Sequence, residues 1–501
     1  MAVTGTLVFA VLSAALSSFL FGYNIGVINA PRVIVAQWIR RVHCERDGGT
    51  YQTTPPPPGE ENSTTIWCRY YDEASAGKIM FTDNTMLNTL WSLVSAIFCL
   101  GALIAAMSLS FFVNRFGRKG TMLINNVTAI AGAVCMLLSY YVMSHELLIV
   151  GRFIIGLNAG LNSGAPPMYL TEIAPASLRG AIGSVHQLVI VVGVLISQIL
   201  GLPFILGSET LWPILFGFSL VPAALQLLTL SFCPESPRHL YLNRNDVDGA
   251  RKALDFFQRT SDVTADMDQM KREHEESRDQ PKVTMTDIFR DRFLRRIMLI
   301  CIMVMLSQQF SGINAVMFYS TAIFTSAGMV GVHAQYATVA MSSIFVVAST
   351  IACLVVDKLG RRILLLAGLI GMCITTILLV VFMKLMINEG MEWASYASVF
   401  SVILFVVFFA YGPGPIPWFL ASELFTQGPR APATSVVAGV NWLSTLIITF
   451  TFPLIESNLN EYTFLIFTTC LVGFIVYTYM KVPETKGKRI DEIQAEMRQR
   501  L

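Results

Sequence analysis

Twelve largely apolar runs divide this 501-residue chain, at roughly 6–29, 85–113, 121–143, 147–170, 182–203, 211–232, 297–326, 334–356, 363–387, 394–421, 433–455 and 461–481. About twenty such residues suffice to cross a bilayer as a helix. Hydrocarbon offers no partner to a backbone N–H or C=O, so each run is expected to close its hydrogen bonds within itself. Composition points the same way: 14% of residues are charged, 54% are hydrophobic and the mean hydropathy is +0.59. Soluble chains carry about 25% charge. The charge is also gathered in one place, since residues 233–296 hold 13 of the 35 Lys/Arg and 13 of the 33 Asp/Glu. A soluble enzyme, a disordered chain and a disulfide scaffold are excluded. The net charge of +2 implies no nucleic-acid partner.

Basic residues orient the runs. Arg115, Arg118 and Lys119 follow the second run, Arg179 the fourth, the charged stretch the sixth, Lys358, Arg361 and Arg362 the eighth, and Arg430 the tenth. Lys481, Lys486, Lys488, Arg489, Arg498 and Arg500 follow the last. Apart from the long loop after the first run, the opposite side carries only Lys384. Both termini are therefore expected on the cytoplasmic side. Met1 to Asn29 lacks a basic leader and a small-residue cleavage site, and reads as a retained first helix. Residues 31–84 read as an extracellular loop. They contain Pro55 to Pro58, the sequon Asn62-Ser63-Thr64, and Cys44 and Cys68, between which an outside location permits a disulfide. The other seven cysteines sit in or at the ends of apolar runs as small buried hydrophobes.

The chain repeats itself. Gly117-Arg118-Lys119 after the second run answers to Gly360-Arg361-Arg362 after the eighth. Glu172 and Arg179 stand seven apart after the fourth, as Glu423 and Arg430 do after the tenth. Pro234-Glu235-Ser236 closes the sixth, as Pro483-Glu484-Thr485 closes the twelfth. Three landmarks recurring about 250 residues apart describe a duplication of six helices. Parallel halves with a site at midplane between them are the plan of a rocking transporter.

The ordered strings Asn-Arg-Phe-Gly-Arg-Lys-Gly (114–120), Gly-Arg-Phe-Ile-Ile-Gly (151–156), Pro-Glu-Ser-Pro-Arg (234–238), Gln-Gln-Phe-Ser-Gly-Ile-Asn-Ala (308–315), Gly-Pro-Gly-Pro-Ile-Pro-Trp (412–418) and Pro-Glu-Thr-Lys-Gly (483–487) carry a resemblance. From about residue 6 to 490 the chain resembles the sugar-porter branch of the major facilitator superfamily, and within it the animal facilitative glucose transporters. The expected fold is an all-α membrane protein of twelve transmembrane helices in two six-helix pseudo-repeats, the major facilitator fold. An N-terminal bundle (1–232), a cytoplasmic helical linker (233–296), a C-terminal bundle (297–482) and a cytoplasmic tail (483–501) are expected. A multi-pass plasma-membrane location goes with the resemblance and the sequon loop.

A hexose is neutral and covered in hydroxyls, and unpaired hydroxyls at midplane are costly. Side-chain amides donate and accept, which suits them. The apolar runs supply Gln187, Gln198, Gln308, Gln309, Asn314 and Asn441. By resemblance, Gln187, Gln308, Gln309, Asn314, Trp418 and Asn441 match sugar-contacting positions, and Ile190, Val191 and Val194 match apolar positions on the same wall. The resemblance puts Phe318 and Tyr319 near the outer gate, and Pro413 and Pro415 are expected to belong to that gate too, because the Pro413/Pro415/Pro417 run removes backbone donors and makes a joint in the tenth helix. Three positions depart from the family: Phe345 replaces an Asn, Ala410 a Glu, and Met305-Leu306-Ser307 a Gln-Leu-Ser triplet tied to glucose selectivity. His186 reads as a packed core residue.

Proton-coupled relatives carry Gly-Tyr-Asp in the first helix, where this chain has Gly22-Tyr23-Asn24. Asn does not titrate, and Arg152 does not release its proton. Uniport with no coupled ion is expected. Arg118, Arg152, Glu172, Arg179, Glu235, Arg361, Glu423, Arg430 and Glu484 are expected to form a cytoplasmic gate, paired while the protein is open outward. No catalytic residue, cofactor or metal site is expected: a phosphate loop, a metal-spaced His/Cys/Asp cluster and a nucleophile triad are all missing from the sequence. The expected partners are the bilayer and a hexose, D-glucose first. A fructose or mixed-hexose carrier is the alternative, and a transporter-like sugar receptor the alternative of another class.

Overall fold

The computed structural model describes residues 4–46, 84–175, 178–259, 263–279, 283–329, 331–486 and 490–499. Asn62, Cys68 and the Arg179 side chain lie outside the described residues. Among the described residues every regular element is helical. The first half runs α1 (Gly5–Gly26), α2 (Arg32–Arg46), α3 (Asn84–Tyr141), α4 (His145–Asn162), α5 (Ala165–Ile173), α6 (Arg179–Leu200), α7 (Trp212–Gly217) and α8 (Leu220–Leu230). The charged stretch folds into α9 (Pro237–Arg244), α10 (Val247–Gln258), α11 (Thr264–Asp279) and α12 (Met285–Arg290). The second half runs α13 (Arg292–Gln309), α14 (Ile313–Ser326), α15 (Val332–Leu359), α16 (Arg361–Glu389), α17 (Glu392–Tyr411), α18 (Ile416–Leu424), α19 (Gln427–Leu459) and α20 (Thr463–Lys481), and α21 (Ile490–Gln499) closes the chain.

Among the described residues, ten helical stretches are long and apolar enough to cross a membrane. Two of them, Thr89–Tyr141 and Pro432–Lys481, run 53 and 50 residues, more than twice what one crossing needs. The first breaks at Gly117 (φ 83°, ψ 178°) and the second at Asn460 (φ 48°, ψ −126°). Other apolar runs are interrupted at midheight. α13 gives way to α14 across Gly312, at φ 94°, and α17 gives way to α18 across the Gly412–Pro415 segment. Those interruptions, unlike the loops, fall inside the bundle, where they expose backbone groups for use.

α10 has its polar side in water. Asp246 caps it, accepting from Gly249 N at 2.8 Å, and its Ala250, Ala253, Leu254 and Phe257 are buried. The Thr6 hydroxyl donates to Phe256 O at 2.6 Å, and Thr4 donates to Phe257 O, tying the charged stretch to the start of α1. The halves meet where α3 packs on α19 and α6 on α15.

Within the first half, α1 and α6 approach backbone to backbone. A Cβ placed on Gly22 would lie 1.9 Å from the Ile190 carbonyl oxygen. Membrane helices lack a hydrophobic drive toward one another and gain from such close packing. Gly22→Ala is expected to part the two helices and cost about 1–3 kcal/mol, the usual cost of overpacking. A thermal melt of the purified protein checks it, and an unchanged melting temperature would refute the close contact.

Candidate functional site

The break between α13 and α14 gathers the amides. Gln308 and Gln309 end α13, and Asn314 opens α14 behind Gly312. Gln308 Nε2 donates to the carbonyls of Pro413 and Gly414 at 2.8 and 2.6 Å. Gln309 Nε2 donates to Gln308 Oε1 at 2.9 Å and to Asn441 Oδ1. Asn314 Nδ2 donates to Gln309 Oε1, and to Thr445 Oγ1 at 3.1 Å. The Thr445 hydroxyl lies 3.1 Å from Gln309 Oε1 and 2.8 Å from Asn441 O. Gln308, Gln309 and Asn441 are 4%, 4% and 7% exposed, so the cluster is a buried neutral network. Thr445 was not foreseen, although it follows Asn441 by four residues and so shares its helix face.

The remaining sequence-predicted site residues are spread around this network. Trp418 is half-buried on α18. Gln187 is half-buried on α6, while Ile190, Val191 and Val194 are buried on the same helix. Gln198, also on α6, accepts from the Ser342 hydroxyl of α15 and so links the halves. His186 Nδ1 lies 2.7 Å from the Ser18 hydroxyl, packed between α6 and α1. Trp442, next to Asn441, reaches across to the first half, with its ring 5.5 Å from Phe21 and 6.2 Å from Phe98. Phe345 packs edge-on against Phe409 at 6.1 Å, beside buried Ala410.

At one mouth, Phe318 and Tyr319 are buried. The Tyr319 hydroxyl donates to Thr449 O at 2.9 Å, its ring stacks on Phe452 at 5.4 Å, and the Arg32 guanidinium lies 5.6 Å over it. Asn29, just past α1, bonds the Met317 carbonyl at 3.3 Å, the Ser320 hydroxyl, and the Thr321 N–H at 3.1 Å. These bonds join the chain just past the first half's α1 to α14 of the second half. Asn29 and Ser320 were not singled out from the sequence; an amide ending an apolar run was the available signal.

At the other mouth the sequence repeat becomes a repeat of geometry. Gly117 and Gly360 both adopt positive φ, 83° and 97°. Glu235 accepts from the N–H groups of Arg118 and Lys119 at 2.9 and 3.0 Å, and Glu484 from those of Arg361 and Arg362 at 2.9 and 3.2 Å. A Cβ at either glycine would fall within 2.8 Å of these carboxylates. Arg118 pairs with Glu172 at 2.8 Å and Arg361 with Glu423 at 3.1 Å. The Ser236 and Thr485 hydroxyls bond Glu172 and Glu423 in turn. Arg430 donates to the Phe425 carbonyl at 3.3 Å, and burial lowers its pKa. Arg152 does not belong to this gate. It is fully buried on α4, where its Nη1 donates to Asn24 O at 3.0 Å and its guanidinium lies 4.5 Å over the Phe98 ring. It stands eight residues into α4, in the interior of that helix and not at its end. The Cys44 thiol is taken up in a disulfide bond.

The comparisons accord with this geometry. A family model for sugar (and other) transporters matches residues 10–497. The chain belongs to the sugar transporter family. It is 43% identical over 497 residues to the chicken solute carrier family 2, facilitated glucose transporter member 1, covering 99% of this chain and 94% of that protein. It is 42% identical to the pig member 2, covering 99% and 95%, and 41% identical to the dog member 3, covering 98% and 92%. The fold matches the proton:xylose symporter XylE bound to 6-bromo-6-deoxy-D-glucose, with TM-score 0.76 and 24% identity over 99% of this chain and 100% of that one. A partially occluded inward-open XylE from E. coli gives TM-score 0.75 at 24% identity, over 97% and 100%. The chain thus has the major facilitator fold and is a multi-pass membrane protein.

The first of these two mirrored clusters contains a buried histidine. His239 is fully buried, with Nδ1 2.8 Å from Arg118 Nη1. A guanidinium only donates, so Nδ1 accepts and the ring is neutral. Burial first, then Arg118 beside it, hold the His239 pKa below the usual value, while Glu235 opposes them. The unfolded chain therefore takes up the proton more readily. This contribution to stability is present above about pH 6.5 and lost as the pH falls below it. Wild type is expected to lose more melting temperature between about pH 7.5 and about pH 5.5 than His239→Gln. Equal losses would show that the ring carries no proton cost.

Proposed function

We propose that this chain carries a hexose, D-glucose first, down its gradient across the plasma membrane by alternating access and without a coupled ion. The observation that carries the reading is the buried, neutral amide network of Gln308, Gln309, Asn314 and Asn441. It offers donors and acceptors at midplane and no charge. The names of the relatives supply the substrate. We read Thr89–Tyr141 and Pro432–Lys481 as two crossings each, which brings the ten stretches to the expected twelve, with both termini cytoplasmic. The boundaries 1–232, 233–296, 297–482 and 483–501, glycosylation at Asn62 and a Cys44–Cys68 bridge belong to the same proposal. So does the absence of catalysis.

Asn24 supports uniport. Its Nδ2 donates to Leu20 O at 2.9 Å, its Oδ1 accepts from Ser219 at 3.2 Å, and its own carbonyl accepts from Arg152. A group that changes charge inside the membrane is what proton coupling requires, and Asn24 changes none. The apolar Phe345–Phe409 contact beside Ala410 favours the fructose or mixed-hexose reading in second place, since it withdraws polar contacts from one wall.

Counterflow of labelled D-glucose in proteoliposomes, without an ion gradient, tests the reading. Uptake is expected to be blocked by D-glucose, untouched by L-glucose and indifferent to pH. Competition by D-fructose decides the second reading, and no counterflow in correctly inserted protein would refute both. Asn24→Asp is expected to make uptake pH-dependent, and a flat profile in that variant would count against the role of Asn24. Arg430→Ala is expected to bias the protein toward the inward-open state. Labelling of each face with membrane-impermeant reagents reads this, and an unchanged pattern would remove Arg430 from the gate.

A further inference from the structure

The α17–α18 break leaves carbonyls without partners, and their fate can be followed one by one. A helical carbonyl is served by the N–H four residues on. Phe409 O would be served by residue 413, a proline, and is served by Gly414 N at 2.9 Å instead. Pro413 O would be served by residue 417, again a proline without an N–H. Gly414 O would be served by Trp418 N, but that N–H turns back to Pro415 O at 3.2 Å. Two carbonyls, Pro413 O and Gly414 O, are thereby orphaned inside the bundle, where an unpaired backbone group is costly. Both are taken up by a single side chain from another helix, through the two donors of Gln308 Nε2. Neither donor is left over for a sugar.

Gln308 is in turn the end of the amide network. Its Oε1 accepts from Gln309 Nε2, and Gln309 reaches Asn441, Asn314 and Thr445. Phe409 backs the break from the other side, since a Cβ on Gly414 would lie 3.2 Å from its ring.

We propose that Gln308 is a positioning residue that clasps the α17–α18 break in the empty protein, and that a sugar hydroxyl accepting from its amide opens the clasp and frees α18. A sugar hydroxyl inserted into each of the two bonds accepts from Nε2 and donates to the carbonyl it displaces, so two hydroxyls leave neither a donor nor a carbonyl stranded. Substrate arrival and hinge release become one event at one side chain. The clasp itself stands on the sugar-free geometry alone. Its release by substrate rests on the hexose reading above.

Hydrogen–deuterium exchange of the amides in 412–425 tests both parts, on full-length protein in nanodiscs. Gln308→Met keeps the side-chain length and removes both donors. In the absence of sugar it is expected to exchange about fivefold faster or more, the loss of at least one net hydrogen bond. Pro417→Ala returns an N–H opposite Pro413 O, so the Gln308→Met/Pro417→Ala double variant is expected to exchange more slowly than Gln308→Met. General damage by Gln308→Met would not be repaired in this way. Exchange at the wild-type rate in Gln308→Met, or a double variant as fast as the single, would overturn the clasp. Saturating D-glucose is expected to speed exchange in wild type toward the Gln308→Met rate and to leave Gln308→Met unchanged. Unaltered or slowed wild-type exchange in a preparation that performs D-glucose counterflow would overturn the release. Without counterflow the hexose reading itself fails, while the sugar-free comparison still decides the clasp.

Discussion

The structure depends on the need of every backbone N–H and C=O in hydrocarbon to find a partner within the protein. Long uninterrupted helices meet that need alone. A transporter also requires interruptions, and several here are tied off by a side chain from elsewhere in the chain. Glu235 and Glu484 close the turns at Gly117 and Gly360. Asn29 meets backbone groups of Met317 and Thr321 beside the distorted Tyr319. Gln308 meets the carbonyls of the proline run. At these places backbone satisfaction is handed to a neighbour, and such a bond can be exchanged.

That view explains the division of chemistry between the centre and the ends. Charge is costly at midplane, so the central network uses amides and a hydroxyl, and Arg152 is served by a backbone carbonyl and an aromatic face. At the helix ends, near water, carboxylates and guanidinium groups do the same capping in mirrored sets. The two sets are near copies, down to the hydroxyl of Ser236 or Thr485 on the Glu172 or Glu423 carboxylate. Arg118 has a third contact in the first set, with the buried His239 ring.

Much of this was legible beforehand. Gln308-Gln309 with Asn314 five residues later marked the central network, because amides in an apolar run must pair. Glu172, Glu423 and the Gly-Arg turns marked the two mirrored clusters through their repetition. Arg152 was grouped with the gate, yet its guanidinium is buried against Asn24 O and the Phe98 ring. Thr445, Asn29 and Ser320 went unnoticed because hydroxyls and lone amides are common in membrane helices and acquire meaning only from a partner.

The sequence by itself determined the membrane class, the duplicated plan, the family and most of the polar residues that serve it, since hydropathy, charge asymmetry and repeated motifs are local or periodic signals. Only the tertiary structure decided which polar group answers which. Gln308 serves carbonyls more than a hundred residues away, and Asn29 serves a helix nearly three hundred residues on. No spacing rule encodes those pairs. The first pair forms inside the second half and the second joins the two halves, and each exists because packing brought an unmet donor of one segment to face an unmet acceptor of another.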